Sequence, residues 1–286
     1  MRKVPTAILL VHCPDQRGLV AKIADFVFHN GGNIVHADHH IDTECGLFLM
    51  RVEWELEGFQ LHRDEIVAGF APIAANLNLK WDLRFSDHRQ RIAIMVSKYD
   101  HCLYDLLLRE ASDEFQARTA LVIGNHPDAG SVTARFGIPF FLFPIDPQNK
   151  AEQEEKELAL LADHEIDLIV LARYMQILTP RFASRYPNRI INIHHSFLPA
   201  FIGSRPYHQA YERGVKLIGA TSHYVTDQLD TGPIIEQDVI RISHRDSVED
   251  LIRKGRDLER IVLGRAVRLH LDSRVLPYGQ KTAIFD

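Results

Sequence analysis

The stretch Ile190-Ile191-Asn192-Ile193-His194-His195-Ser196-Phe197-Leu198-Pro199 decides how the chain folds. Its apolar residues do not alternate with polar ones. Ile190, Ile191 and Ile193 face both sides of a strand, and polar residues gather only towards its end. Strands apolar on both faces belong to a sheet covered by helices on both sides, which means parallel βαβ units. Working outward, Ile92-Ala93-Ile94-Met95-Val96, Ala120-Leu121-Val122-Ile123 and Leu168-Ile169-Val170-Leu171 repeat the pattern, separated by helical stretches. The charge-dense Lys150 to Lys156 opens a helix that ends near His164 and reads as a solvated face. A final helix over roughly Val248 to Leu271 carries Val248, Leu251, Ile252, Leu258 and Val262 on one side. Ligands of open parallel sheets bind at the carboxyl ends of the strands, so chemistry is to be sought where Asn192 and His194 stand.

Before residue 85 the pattern is different. Thr6 to His12 is a strand, Pro14-Asp15-Gln16-Arg17-Gly18 a turn with Asp15 as helix cap, and Leu19, Ile23, Phe26 and Val27 share one helix face. Asn30-Gly31-Gly32-Asn33 stops that helix. Strands over Ile34 to Ile41 and Leu47 to Leu56, a helix over His62 to Ala75 and a strand over Leu79 to Arg84 complete a βαββαβ order. The polar Ser86-Asp87-His88-Arg89-Gln90 divides residues 1–85 from a second domain, 91–286. Two domains suit a chain of 286 residues.

An apolar fraction of 46% and a charged fraction of 25% are ordinary globular values and exclude disordered and collagen-like classes. A net charge of −5 offers no basic excess to neutralise a phosphate backbone, so no nucleic-acid partner is expected. Cys13, Cys45 and Cys102 lie far apart without CxxC spacing, which fits a reducing cytoplasm. Arg2-Lys3 followed by Ala7 to Val11 imitates a secretion signal. The run stops at His12-Cys13-Pro14-Asp15, too short for an export core, and no run approaches the ~18 apolar residues of a membrane span. No metal is expected: His39-His40 and His194-His195 are adjacent pairs whose side chains diverge in a strand, and no His-Glu-x-x-His occurs. Gly-x-Ser-x-Gly is lacking too, and Val96 is followed by Ser97-Lys98-Tyr99-Asp100-His101, with none of the glycines a dinucleotide turn needs.

Asn192 and His194, two apart on a strand, project to the same side. An amide donor beside an imidazole suits carbonyl chemistry: one can hold a developing oxyanion, the other can move a proton near neutral pH. Satisfying buried backbone groups is the plainer role for both. A second polar cluster runs from Ala220 to Pro233, where a strand ends near Tyr224, a tight loop follows, and Gly232-Pro233 feeds another strand. Asp230 in that loop is a carboxylate available for catalysis, or a turn-forming residue before glycine.

Together, the Asn192-Ile193-His194 strand end, the Ser196-to-Pro199 tail and the His223…Leu229-Asp230-x-Gly232-Pro233 loop resemble the 10-formyltetrahydrofolate transformylase family. Arg205-Pro206-Tyr207-His208-Gln209-Ala210 and Gly214-Val215-Lys216-Leu217-Ile218-Gly219-Ala220-Thr221 are similar to its deformylase branch. That branch carries an N-terminal ACT domain, which residues 6–84 resemble through Asp15-x-Arg17-Gly18 and Gly31-Gly32-Asn33. The resemblance implies an α/β protein: a ferredoxin-like ACT domain and a Rossmann-like formyltransferase domain with a mostly parallel sheet. It implies Asn192, His194 and Asp230 as catalytic residues, with His223 in support. It places a folate pocket on Arg173 to Leu178, through Tyr174, Met175, Gln176 and Ile177, and on the loop from Val225 and Thr226 to Asp230. Asp15, Arg17, Gly18 and Asn33 become an amino-acid effector site, for glycine and methionine acting in opposite directions; turn and cap residues are the plain alternative. A homo-oligomer, tetramer or hexamer, follows from the ACT resemblance, and no cofactor is needed because 10-formyltetrahydrofolate is the substrate.

Two departures separate the chain from the glycinamide ribonucleotide transformylases. They have an arginine where Gln176 stands, and a glycine-rich phosphate-binding turn where this chain has Ser97 to His101. The expected reaction is therefore hydrolysis to formate and tetrahydrofolate, feeding one-carbon metabolism and purine synthesis. Asn192 and protonated His194 would hold the oxyanion, while Asp230 would hold the water, keep His194 charged and move protons. Formyl transfer to an amine such as glycinamide ribonucleotide is the alternative, and an inactive amino-acid-responsive regulator is the third; retention of all three catalytic residues speaks against the last.

Overall fold

In the computed structural model residues 4–199 and 205–286 are described; the Arg2-Lys3 pair of the signal-like start lies outside them. The elements fall into two units. One takes in the chain through Arg89 together with Asp272–Tyr278 and Ala283–Asp286; the other comprises Gln90–Leu271 and Gly279–Thr282.

In the first unit the order is β1 (Thr6–Pro14), α1 (Leu19–His29), β2 (Ile34–Asp42), β3 (Leu47–Glu55), α2 (Arg63–Asn76) and β4 (Lys80–Phe85), the βαββαβ order that the sequence implies. The strands form one antiparallel sheet, β2-β3-β1-β4. Ala7, Leu9, Val11 and Cys13, two apart along β1, share a core with Leu19, Ile23, Phe26 and Val27 of α1 and Ile66, Phe70 and Ala74 of α2. Asp15 does not cap α1. Gly18 occupies the cap position at φ 86° with no side-chain cap bond, because the chain enters the helix through a left-handed turn that glycine adopts without strain.

The second unit is built on a seven-stranded sheet. Its elements are β5 (Gln90–Val96), α3 (His101–Ala111), β6 (Ala117–Gly124), α4 (Gly130–Arg135), β7 (Phe140–Leu142), α5 (Lys150–Asp163), β8 (Leu168–Ala172), α6 (Pro180–Arg185), β9 (Ile190–His194), α7 (Pro206–Glu212), β10 (Leu217–Tyr224), β11 (Ile234–Arg241) and α8 (Val248–Leu271). Strand order is β11-β10-β9-β8-β5-β6-β7. The pairs from β9 through β7 are parallel, whereas β10 runs antiparallel to both β9 and β11. β8 and β6 flank β5 on opposite sides, so the order reverses beside β5, the crevice where such sheets take ligands.

Two expectations are corrected. The C-terminal strands β12 (Val275–Tyr278) and β13 (Lys281–Ile284) break the 91–286 domain, since residues 272–278 and 283–286 belong to the first unit. There Leu276 and Phe285 pack on Leu10 and Leu49, the sheet face turned away from α1 and α2. Nor is α5 simply a solvated helix. Glu154 and Glu157 are buried: Glu154 accepts bonds from the Thr179 backbone N–H (3.1 Å) and hydroxyl, and Glu157 from the Tyr174 hydroxyl (2.8 Å).

Candidate active site

The β9–β10 register brings the site together. His223 lies directly opposite Asn192, and Thr221 opposite His194. Directly opposed residues share a sheet face, so the Asn192 amide nitrogen comes within 3.2 Å of His223 Nε2. Asp230 arrives from the loop after β10. Its Oδ2 lies 3.1 Å from His194 Nδ1 and its Oδ1 3.5 Å from His223 Nε2. The three residues implied as catalytic, and the supporting histidine, therefore meet in one cluster.

The geometry assigns protons. His223 Nδ1 is 2.9 Å from the Tyr224 carbonyl oxygen, which can only accept, so Nδ1 carries hydrogen. In the neutral ring Nε2 then accepts one N–H of the Asn192 amide, leaving the other N–H for a ligand. His194 donates from Nδ1 to Asp230, and its Nε2 is buried with no partner among the described residues. Burial raises the Asp230 pKa, but the hydrogen bond from His194 and the closeness of the His223 imidazole outweigh it and hold the carboxyl well below the usual carboxylate range. The carboxylate stays ionised.

The loop that delivers Asp230 closes where the Tyr224 N–H donates to the Pro233 carbonyl at 2.9 Å. Gly232 sits in that neck, and a Cβ there would lie 1.7 Å from the Tyr224 carbonyl oxygen. Asp230 itself is left-handed, φ 54°, a conformation that Asp tolerates better than most residues. Arg173 (φ 64°) and Met175 (φ 58°), just beyond β8, are left-handed too. Non-glycine residues held this way cluster where function over-determines the backbone.

The other assigned residues separate into groups. Met175 and Ile177 are exposed, as is Leu229 on the Asp230 loop, so these loops present apolar surface. Gln176, Val225 and Thr226 are half-buried. Tyr174 is only 1% exposed and spends its hydroxyl on Glu157; its side chain anchors the loop from beneath rather than facing a ligand. In the first unit Asp15, Arg17 and Gly18 are exposed, and Asn33 Nδ2 donates to Glu55 Oε2 at 2.8 Å.

Sequence reasoning missed a buried polar group beside the cluster. Glu259 of α8 accepts from the Tyr207 hydroxyl (2.5 Å) and lies 2.7 Å from His101 Nε2, with Arg173 Nη1 at 3.6 Å. Burial disfavours the Glu259 carboxylate, but the His101 bond and the Arg173 charge keep its pKa below the usual range. The signal lay in α8, where Glu259 falls among Gly255, Leu258, Val262 and Leu263, all buried. His195 joins the two clusters, its ring 5.2 Å from that of His194 and 6.2 Å from that of Tyr207. The histidine rings do not diverge as expected, because β9 ends at His194 and His195 is already in the turn. Burial, with Arg173 and His194 beside it, pushes the His195 imidazole down to about 4.

His101, Cys102 and Glu259 are the grouping of metal-type side chains found among the described residues. Its donors fit a cation poorly. Glu259 is already bonded to His101 and Tyr207 beside a guanidinium, and burial pushes the Cys102 thiol well up, away from the thiolate a metal needs.

Residues 90–267 match the family model described as formyl transferase. A formyltetrahydrofolate deformylase of Synechocystis sp. is 59% identical over 280 residues, covering 98% of each chain. One from Bacillus subtilis is 49% identical over 97% of this chain and 93% of its own. The crystal structure of a formyltetrahydrofolate deformylase from Pseudomonas syringae pv. tomato superposes with a TM-score of 0.97 at 46% identity, covering 100% of this chain and 96% of that one.

Proposed function

Because the chain belongs to the formyl transferase family, among its formyltetrahydrofolate deformylases, we propose that it hydrolyses 10-formyltetrahydrofolate to formate and tetrahydrofolate. The observation that carries the reading is the meeting of Asn192, His194 and Asp230, 38 positions apart at most, around one carboxylate. The formyl group is an amide. Its hydrolysis needs a place for oxyanion charge, a held water, and a proton for the departing nitrogen.

The free N–H of the Asn192 amide and the unpartnered Nε2 of His194 are the donors for the formyl oxygen. Asp230 is acceptor-only when ionised. It fixes the His194 ring through Nδ1 and, with lone pairs to spare, orients water. A carboxylate held below its usual pKa is a weak base, so the proton traffic falls to His194 rather than to Asp230 as the sequence implied. As the tetrahedral intermediate collapses, the C–N bond breaks; the His194 imidazolium gives its Nε2 proton to the departing folate nitrogen, and the proton shed by the attacking water then restores the imidazolium. The exposed apolar loops at Met175, Ile177 and Leu229 are the surface for the folate rings.

No metal or organic cofactor enters this scheme. Transfer to glycinamide ribonucleotide is not favoured, since the relatives quoted above carry the deformylase name over nearly the whole chain. The first unit is the amino-acid-responsive part, with Asp15, Arg17, Gly18 and Asn33 as its ligand residues, glycine and methionine as effectors, and a tetramer or hexamer as the working form. Among the described residues no helix is long and apolar enough to cross a membrane; the cytoplasm, where folates and purine synthesis reside, is the proposed location. Mixing protein with 10-formyltetrahydrofolate and no acceptor tests the proposal. Stoichiometric formate and tetrahydrofolate support it; turnover only when an amine is added refutes it.

A further inference from the structure

Several large side chains gather at the carboxyl end of β5, where the strand order reverses. Val96 at the end of β5 pairs with Ala172 at the end of β8, and Leu171 pairs with Asn192 of β9. Tyr99, Arg173 and the Asn192–His194 pair therefore leave the same edge of three adjacent strands. The Arg173 guanidinium lies over the Tyr99 ring at 5.5 Å, and Arg256 of α8 over the same ring at 5.0 Å. Behind them Glu259 ties His101 to Tyr207, and Tyr207 packs on His195 next to His194.

This arrangement is a poor way to stabilise a fold. Arg173 is 9% exposed and its Nη1 stands 3.6 Å from the Glu259 carboxylate, yet Nε and Nη1 make no hydrogen bond among the described residues, and buried donors without a hydrogen bond cost free energy. Its backbone is also left-handed. A side chain kept at such cost, in the crevice where open sheets take ligands, serves by occupying it.

We infer that Tyr99, Arg173 and Glu259 form a plug that denies a second, amine-bearing substrate access to the formyl carbon, so that only solvent can attack. The inference rests on the hydrolytic reading and deepens it: these residues set which nucleophile is accepted, not how the carbonyl is activated. A primary amine admitted to the site would form a C–N bond to the formyl carbon while the bond to the folate nitrogen breaks. One proton moves from the amine to that nitrogen, with no other reactant.

The test follows both products from 10-formyltetrahydrofolate with glycinamide added as the probe amine. Wild type is expected to yield formate, with N-formylglycinamide a minor share of turnovers. Tyr99→Ala/Arg173→Ser is expected to raise that share at least tenfold. Tyr99→Ala alone, at a position 44% exposed where folding is not at stake, is expected to raise it about threefold. A wild type that forms N-formylglycinamide as readily as the variants overturns the plug, as do variants that release formate with an unchanged product ratio. Folded variants that release neither product also overturn it, since the cluster would then serve the chemistry itself. A wild type that releases no formate refutes hydrolysis, which distinguishes the two failures.

Discussion

Asp230 and Gly232 divide the work of one loop: the first supplies charge, the second lets the loop close. Asp230→Asn keeps the shape and the tolerance for left-handed backbone but removes the charge that fixes His194. Formate release is expected to fall about 10²–10⁴-fold, with the thermal unfolding midpoint nearly unchanged by circular dichroism. Turnover near wild type would remove Asp230 from the mechanism. Gly232→Ala acts through position alone. A Cβ 1.7 Å from the Tyr224 carbonyl oxygen forces that backbone to move, and the same oxygen accepts the His223 Nδ1–H. One methyl thus disturbs His223, its bond with Asn192 and the approach of Asp230 together. Activity is expected to drop at least as far as in Asp230→Asn, now with a lowered melting temperature; a variant with both unchanged would show that the neck has slack. The pairing of His223 with Asn192 could not be read from the sequence, because cross-strand register depends on backbone alignment between segments about thirty residues apart.

Elements whose apolar pattern is regular were legible: α1 buries Leu19, Ile23, Phe26 and Val27 as the spacing implied, and α8 spans Val248–Leu271. What escaped was charge placed inside. Within α5 the acidic run looks solvated, yet Glu154 and Glu157 face inward because Thr179 and Tyr174 supply hydrogen-bond donors that lie 17 to 25 residues away. Burial pushes the Glu157 carboxyl up to about 7; the Tyr174 hydroxyl opposes this, and Glu154 adds to it. The sign follows directly. Glu157 keeps its proton in the folded chain at pH values where the unfolded chain, near 4.3, has lost it. Its contribution is therefore fully present below about pH 4 and is lost as pH rises through about 7. A rise from 4.5 to about 7 corresponds to about 3 kcal/mol at 1.36 kcal/mol per pH unit. Glu157→Gln, which can still accept the Tyr174 bond, is expected to melt higher than wild type at pH 8 and to lose that advantage at pH 5. Parallel melting curves across this range would show that Glu157 is ionised in the folded protein.

At the scale of the whole chain, the boundary near residue 90 was legible from the polar connector, but the return of the C-terminus to the first unit was not. The clue was in β1. An antiparallel sheet with helices on one face normally alternates apolar and polar residues, yet Ile8 and Leu10 are apolar between the core residues Ala7, Leu9 and Val11, and all are buried. That second face needed cover, and composition could not say which distant segment supplies it. Leu276 and Phe285 do, and Arg51 Nε fastens the same segment by donating to the Ser273 carbonyl at 3.0 Å. Phe285 is 2% exposed, so Phe285→Ala is expected to cost the first unit about 3–5 kcal/mol. The sequence provides a selective reporter. Both tryptophans of the chain belong to the first unit, Trp54 in its core and Trp81 packed against it, so their fluorescence follows that unit's unfolding. In urea, Phe285→Ala is expected to move the fluorescence transition to markedly lower concentration while loss of formate release in the second unit shifts less. If the tryptophan transition stays where it is in wild type, β12 and β13 lie on the sheet without supporting it, and the extra apolar face of β1 needs another explanation.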